Sequence, residues 1–120
     1  MDKDSLTLLG RSDIAASAIR MRAARLAAGL SQQALADAMG QRISSISNIE
    51  RAKNFPGWPT MVFLYKEHRV DVNFLVTGNY AQLPADVQAS LLSQLVQIHA
   101  TTDLLEDSAP RQTALRLLET

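Results

Sequence analysis

Apolar residues from residue 14 to residue 78 recur at intervals of three and four, in short runs closed by glycine. Ile14, Ala18, Met21 and Arg25 fall 4, 3 and 4 apart, one face of a helix that Ser12-Asp13 can cap and Gly29 can stop. Ser31 then caps a short helix carrying Leu35, Ala36 and Met39, which ends at Gly40. A third helix places Ile43, Ile46 and Ile49 three apart, with Glu50 beside them. After the loop Asn54-Phe55-Pro56-Gly57, Trp58-Pro59-Thr60 opens a fourth helix, since proline fits a first turn. Met61, Leu64, Tyr65 and His68 are expected to face inward along it, and Trp58 to pack at its start. A fifth segment, Val72 to Val76, stops at Thr77-Gly78-Asn79.

Beyond Gly78 the texture changes. From Pro84 the pattern Leu91, Leu95, Ile98, Thr102 and Leu105 repeats at 4, 3, 4 and 3, a heptad spacing over about two repeats. Pro110 stands where a last small helix can begin, with Leu115 and Leu118 on one side. No segment alternates with the period of two that a strand requires. The pattern predicts an all-α protein with an N-terminal arm over 1–11, a five-helix unit over 12–79 and a helical extension over 80–120.

Composition bears on function more than on fold. The net charge is zero, yet residues 1–79 hold ten Lys/Arg against seven Asp/Glu, and residues 80–120 hold two against five. A mildly basic unit is thus joined to an acidic one, which predicts two roles on one chain. Cysteine is absent, which excludes disulfides and thiolate metal sites. His68 is expected at a core boundary and His99 on a helix surface. With two isolated histidines and no nucleophile–base arrangement, no catalytic residue, metal site or cofactor is expected. No run is apolar enough to span a membrane and no leader is recognised, so a cytoplasmic protein is expected.

Residues 32–51 carry the specific signal. Two helices that cross steeply need a small residue where they touch, which Ala36 supplies. The tight turn between them needs a residue that accepts a left-handed backbone, which Gly40 supplies. Ile46 and Ile49 anchor the second helix, leaving Ser44, Ser47, Asn48 and Arg51 on a polar face.

Residues 14–78 resemble the Cro/phage-repressor (XRE-like) helix-turn-helix family. The resemblance rests on Arg25-Leu26-Ala27-Ala28-Gly29-Leu30-Ser31-Gln32, Leu35-Ala36, Met39-Gly40, Ile46-Ser47-Asn48-Ile49-Glu50-Arg51 and Val72-Asn73-Phe74-Leu75-Val76-Thr77-Gly78, in order and register. It implies a lambda-repressor-like, five-helix DNA-binding domain whose recognition helix, residues 42–51, lies in the major groove. By the same resemblance Ile43, Ser44, Ser47 and Asn48 read bases. Asn48 can pair with adenine through its amide, and Ile43 can pack on a thymine methyl. Gln32, Gln33, Arg42, Arg51, Lys53 and Asn54 are the residues expected to contact phosphate or support a base contact. Arg25 and Glu50 are expected to form a structural ion pair. The chain departs from the pattern at Gln41, where an apolar residue is usual, at Arg42, which replaces a Ser/Thr cap, and at Ala52, which replaces a glycine. Tyr65 and His68 also fill positions that are normally small or leucine-like.

The expected function is a sequence-specific transcriptional regulator, a repressor binding an inverted repeat of double-stranded DNA as a homodimer. Leu91, Leu95, Ile98 and Leu105 are the expected dimerisation stripe, the alternative being a helix folded back on its own domain. Two other readings stay open: an antitoxin-type regulator binding a protein partner through residues 80–120, and a protein-interaction module with the same fold.

Overall fold

A computed structural model of the chain describes residues 1–102 and Leu104. Among these, seven helices and no strand are found: α1 (Lys3–Leu6), α2 (Ile14–Ala27), α3 (Gln32–Met39), α4 (Ile43–Glu50), α5 (Trp58–His68), α6 (Val72–Thr77) and α7 (Ala85–Thr101). Their starts follow side-chain chemistry. Asp2, Asp13, Ser31 and Asp71 each accept a hydrogen bond from the backbone N–H three residues on, the N-cap arrangement that satisfies an otherwise orphaned donor. Pro59 sits in the first turn of α5, where its missing N–H costs nothing.

The alanine-rich α2 runs through the centre. Ala16, Ala18, Ile19, Met21, Ala23 and Ala24 are all buried, so most of its circumference is covered. Small side chains let neighbours approach on several sides at once, and α4, α6 and α7 all pack against it. Leu35, Ile46, Leu64, Phe74 and Leu75 complete this core from α3 to α6.

Both ends of the chain depart from the sequence-based expectation. The expected arm over 1–11 instead contains α1, and Leu6 and Leu8 are buried in the common core. Leu8 reaches it in a left-handed backbone (φ 55°), a strained conformation for leucine that burial of the side chain offsets. The extension also folds back. Val87, Leu91, Leu95 and Ile98 on α7 are buried against the rest of the chain, chiefly α2, with α1 alongside. Leu91, Leu95 and Ile98 therefore do not form an exposed dimerisation stripe, because the apolar flank of α2 already covers them. The fourth member, Leu105, lies outside the described residues, as do Pro110, Leu115 and Leu118. The apolar side of α7 is accordingly taken up within the chain.

Two buried polar side chains hold the ends in place. His99, expected on a surface, is fully buried, and its Nε2 lies 2.7 Å from the carbonyl oxygen of Leu6. Since a carbonyl can only accept, Nε2 carries the proton, and Nδ1 is left buried without a partner among the described residues. Arg20, also fully buried, donates to the carbonyls of Thr7, Leu8 and Val76 at 3.0, 2.7 and 3.1 Å. It thereby joins the N-terminal turn to the end of α6. Burial pushes its guanidinium down to about 10, still charged at neutral pH.

Candidate nucleic-acid interface

The α3 and α4 helices are joined by a turn in which Gly40 adopts φ 63° and ψ 33°. Its N–H and that of Gln41 donate back to Asp37 and Ala36, closing α3 with a tight reversal. Ala36 is fully buried, as the close approach of the two helices requires. Arg42 occupies the N-cap of α4 and makes no side-chain cap bond, so its charge stays exposed at the start of that helix.

The orientation of α4 follows from its inner side. Ile46, Ile49 and Glu50 are buried and project within about 100° of one another at a helical turn of 100° per residue. Ser44, Ser47, Asn48 and Arg51 fall on the opposite side. Ser44 and Arg51 are exposed, while Ser47 and Asn48 are half-buried at the flanks. Ile43, 43% exposed, stands at the edge of that face. Arg51 Nη2 donates to Asn48 Oδ1 at 2.9 Å and so sets the orientation of the amide. Lys53 and Asn54 follow in an exposed loop. At the other edge, exposed Gln33 donates to Asp37 at 2.8 Å.

Beneath this face lies a charged cluster centred on Glu50. Arg25 donates to both of its carboxylate oxygens, Nε to Oε2 at 2.7 Å and Nη2 to Oε1 at 2.9 Å. Arg25 Nη1 also donates to the carbonyl of Leu30. The bidentate pair thus locks the end of α2, the loop before α3 and the end of α4 into one unit. Gln32 donates to Glu50 Oε1 at 3.3 Å, so its amide is turned inward, to the end of α4. A second arginine joins the cluster, Arg22, whose Nε lies 3.3 Å from Glu50 Oε1. Sequence reading missed Arg22, since Arg25 already supplied a partner; its position one turn before Arg25 on α2 was the available signal.

Two aromatic side chains are not where the pattern put them. Trp58 is 65% exposed and Tyr65 57% exposed, so neither packs inward. His68 is half-buried, with its ring 5.7 Å from that of Phe63. Ala52, at the position where the family carries glycine, adopts φ 59°.

The described residues contain no group of three or more His, Cys, Asp or Glu placed to hold a metal. No described helix is long and apolar enough to cross a membrane. Compared with known families, residues 21–61 match the helix-turn-helix model. This segment is a helix-turn-helix of the Cro/C1, XRE-like type. The match begins within α2 and ends within α5, so it takes in the Arg22–Arg25–Glu50 cluster, the Gly40 turn and all of α4. Searches among curated proteins and among solved structures return no match. The helix-turn-helix is a DNA-binding regulatory domain and not an enzyme family, and its presence supports a DNA-binding transcription regulator in the general sense.

Proposed function

We propose that the protein is a sequence-specific transcriptional repressor that reads an inverted repeat through the outer face of α4, as a homodimer. One observation carries the reading: Ile46, Ile49 and Glu50 fix α4 to the core, which leaves Ser44, Ser47, Asn48 and Arg51 together on its free side. A helix of this kind, presented polar side outward after a tight turn, fits the major groove. Asn48 pairs with adenine, Ser44 and Ser47 contact base edges, and Ile43 packs on a thymine methyl. Gln33, Arg42, Arg51, Lys53 and Asn54 ring that face with donors for phosphate, which fix the register of the helix. Gln32 acts from behind, through Glu50. Binding across a promoter would exclude the polymerase, and two-fold pairing would match two half-sites about 34 Å apart.

Selection of bound fragments from random DNA tests the proposal, because it returns the site, its symmetry and its half-site spacing together. Asn48→Ala and Ser44→Ala should then lose discrimination between the selected site and random DNA, with melting temperatures close to the parent's. Full discrimination in both variants would show that base reading lies elsewhere.

A further inference from the structure

On α5, Trp58, Val62 and Tyr65 fall four and three residues apart, and Arg69, the cap residue, stands four further on. The four share one face of the helix, and that face is turned to solvent: Val62 is half-buried and the other three are exposed. Trp58, Val62 and Tyr65 wall a shallow groove closed on its far side by Val72 and Asn73 of α6. Tyr65 and Arg69 wall the next groove along the same helix. An apolar patch of this kind, with aromatic and arginine side chains at its centre and ends, is the composition of a protein interface.

We propose that this face receives the same face of a second copy of the chain in antiparallel orientation, an inference that rests on the DNA-reading proposal above. The stripe is its own complement. Paired about a two-fold axis between Val62 and Tyr65, it sets Trp58 of each copy against Arg69 of the other, and Val62 against Tyr65. An indole face is a favourable seat for a guanidinium, and the aliphatic–aromatic pairs fill the centre. Parallel pairing would instead bring the two Arg69 side chains together. Asp86 holds the edge of the Arg69 guanidinium within the chain, which orders it and leaves its planar face for the indole. The neighbouring Lys66, Glu67 and Asp71 carry one positive and two negative charges, a single-charge excess that salt screens at the rim of the stripe. Trp58 follows α4 across the Arg51–Gly57 loop, and a two-fold axis on this face would relate the two copies of α4 by the symmetry of an inverted repeat.

The chain contains no cysteine, so introduced thiols report without background. A mixture of Val62→Cys and Tyr65→Cys chains should form a mixed disulfide under mild oxidation, and Gln97→Cys chains, at an exposed position of α7, should not. In sedimentation of the full chain the parent should be a dimer, whereas Tyr65→Glu and Trp58→Ala should be monomers that keep the parent's helical circular-dichroism spectrum at 25 °C and lose the concentration dependence of its melting. A parent that stays monomeric both alone and on its selected DNA would overturn the proposal. So would a dimer that survives Tyr65→Glu and Val62→Glu. If the interface fails alone, the chain still binds single half-sites, without cooperativity. If only the DNA reading fails, the cross-link and the dimer persist without DNA binding.

Discussion

A β-carbon on Gly78 would stand 2.8 Å from Nη2 of Arg20 and 2.6 Å from the carbonyl oxygen of Thr7. The buried guanidinium and the end of α6 therefore fit together only because position 78 has no side chain. Gly78 also adopts φ 80°, where an L-residue is strained. Gly78→Ala should lower stability by at least about 1–3 kcal/mol, read as a fall in the urea midpoint with an unchanged slope. Retained stability would mean that the N-terminal turn can move aside.

That contact also marks the limit of what sequence patterns convey. The α3–turn–α4 unit is readable because its signals are local: Ser31 as cap, Ala36 at the crossing, Gly40 in the turn and isoleucines three apart. Arg20 is not readable, because its partners are three backbone carbonyls that carry no residue identity. The apolar side of α7 is visible as Leu91, Leu95 and Ile98, but periodicity gives a face without naming what covers it. The burial of His99 is illegible for the same reason, since its partner is a carbonyl on α1, 93 residues away. Residue type alone places Trp58 and Tyr65 inward. At the site itself, Ser44, Ser47, Asn48 and Arg51 were legible as the complement of a buried stripe, whereas the inward turn of Gln32 depends on the tertiary position of Glu50.

Glu50 is fully buried and compensates Arg25 and Arg22 together. Glu50→Ala leaves two cations facing each other and should cost about 3–5 kcal/mol. Arg25→Ala should approach that loss. Arg22→Ala should cost clearly less, because its side chain is 31% exposed and its contact is longer. Chemical denaturation of the three variants checks the order, and equal losses from Arg22 and Arg25 would contradict it.

Ala52 holds φ 59° just past the end of α4. Glycine takes this conformation without a steric penalty, which for an L-residue is about 1–2 kcal/mol. Ala52→Gly should therefore be neutral or stabilising by up to about 1 kcal/mol, despite the greater freedom glycine has in the unfolded chain. A clear drop in melting temperature would show that the Ala52 methyl makes a contact worth more than the strain.

Burial lowers the pKa of His99, against a smaller opposite effect from its bond to Leu6. The folded state thus takes up this proton at lower pH than the unfolded chain does. The stabilisation is complete above the ordinary histidine value of 6.5 and is lost as pH falls from there toward the folded pKa. Asp13 acts lower: held at about 2 by Arg11, it contributes above its ordinary 3.8 and loses that contribution as pH falls toward 2. Melting temperature should fall in two separate ranges, and His99→Gln should remove the upper one while leaving the lower. Persistence of the upper range in that variant would assign it to another group.

Arg51 and Lys53 are both exposed near the end of α4, yet they should behave differently on DNA. Among the described residues the exposed Lys53 side chain forms no ion pair, so it offers charge, and Lys53→Ala should weaken all sequences alike and reduce the salt slope by about one unit. Arg51 offers charge and also steers the Asn48 amide through its 2.9 Å bond to Oδ1. Arg51→Ala should show the same change in slope together with a loss of preference at the base Asn48 reads, about 1–3 kcal/mol when that contact is lost. Binding measured over a salt series on the selected site, and on the same site changed at that base, separates the two effects. If Arg51→Ala weakened both DNAs equally, its bond to Asn48 would have no part in reading.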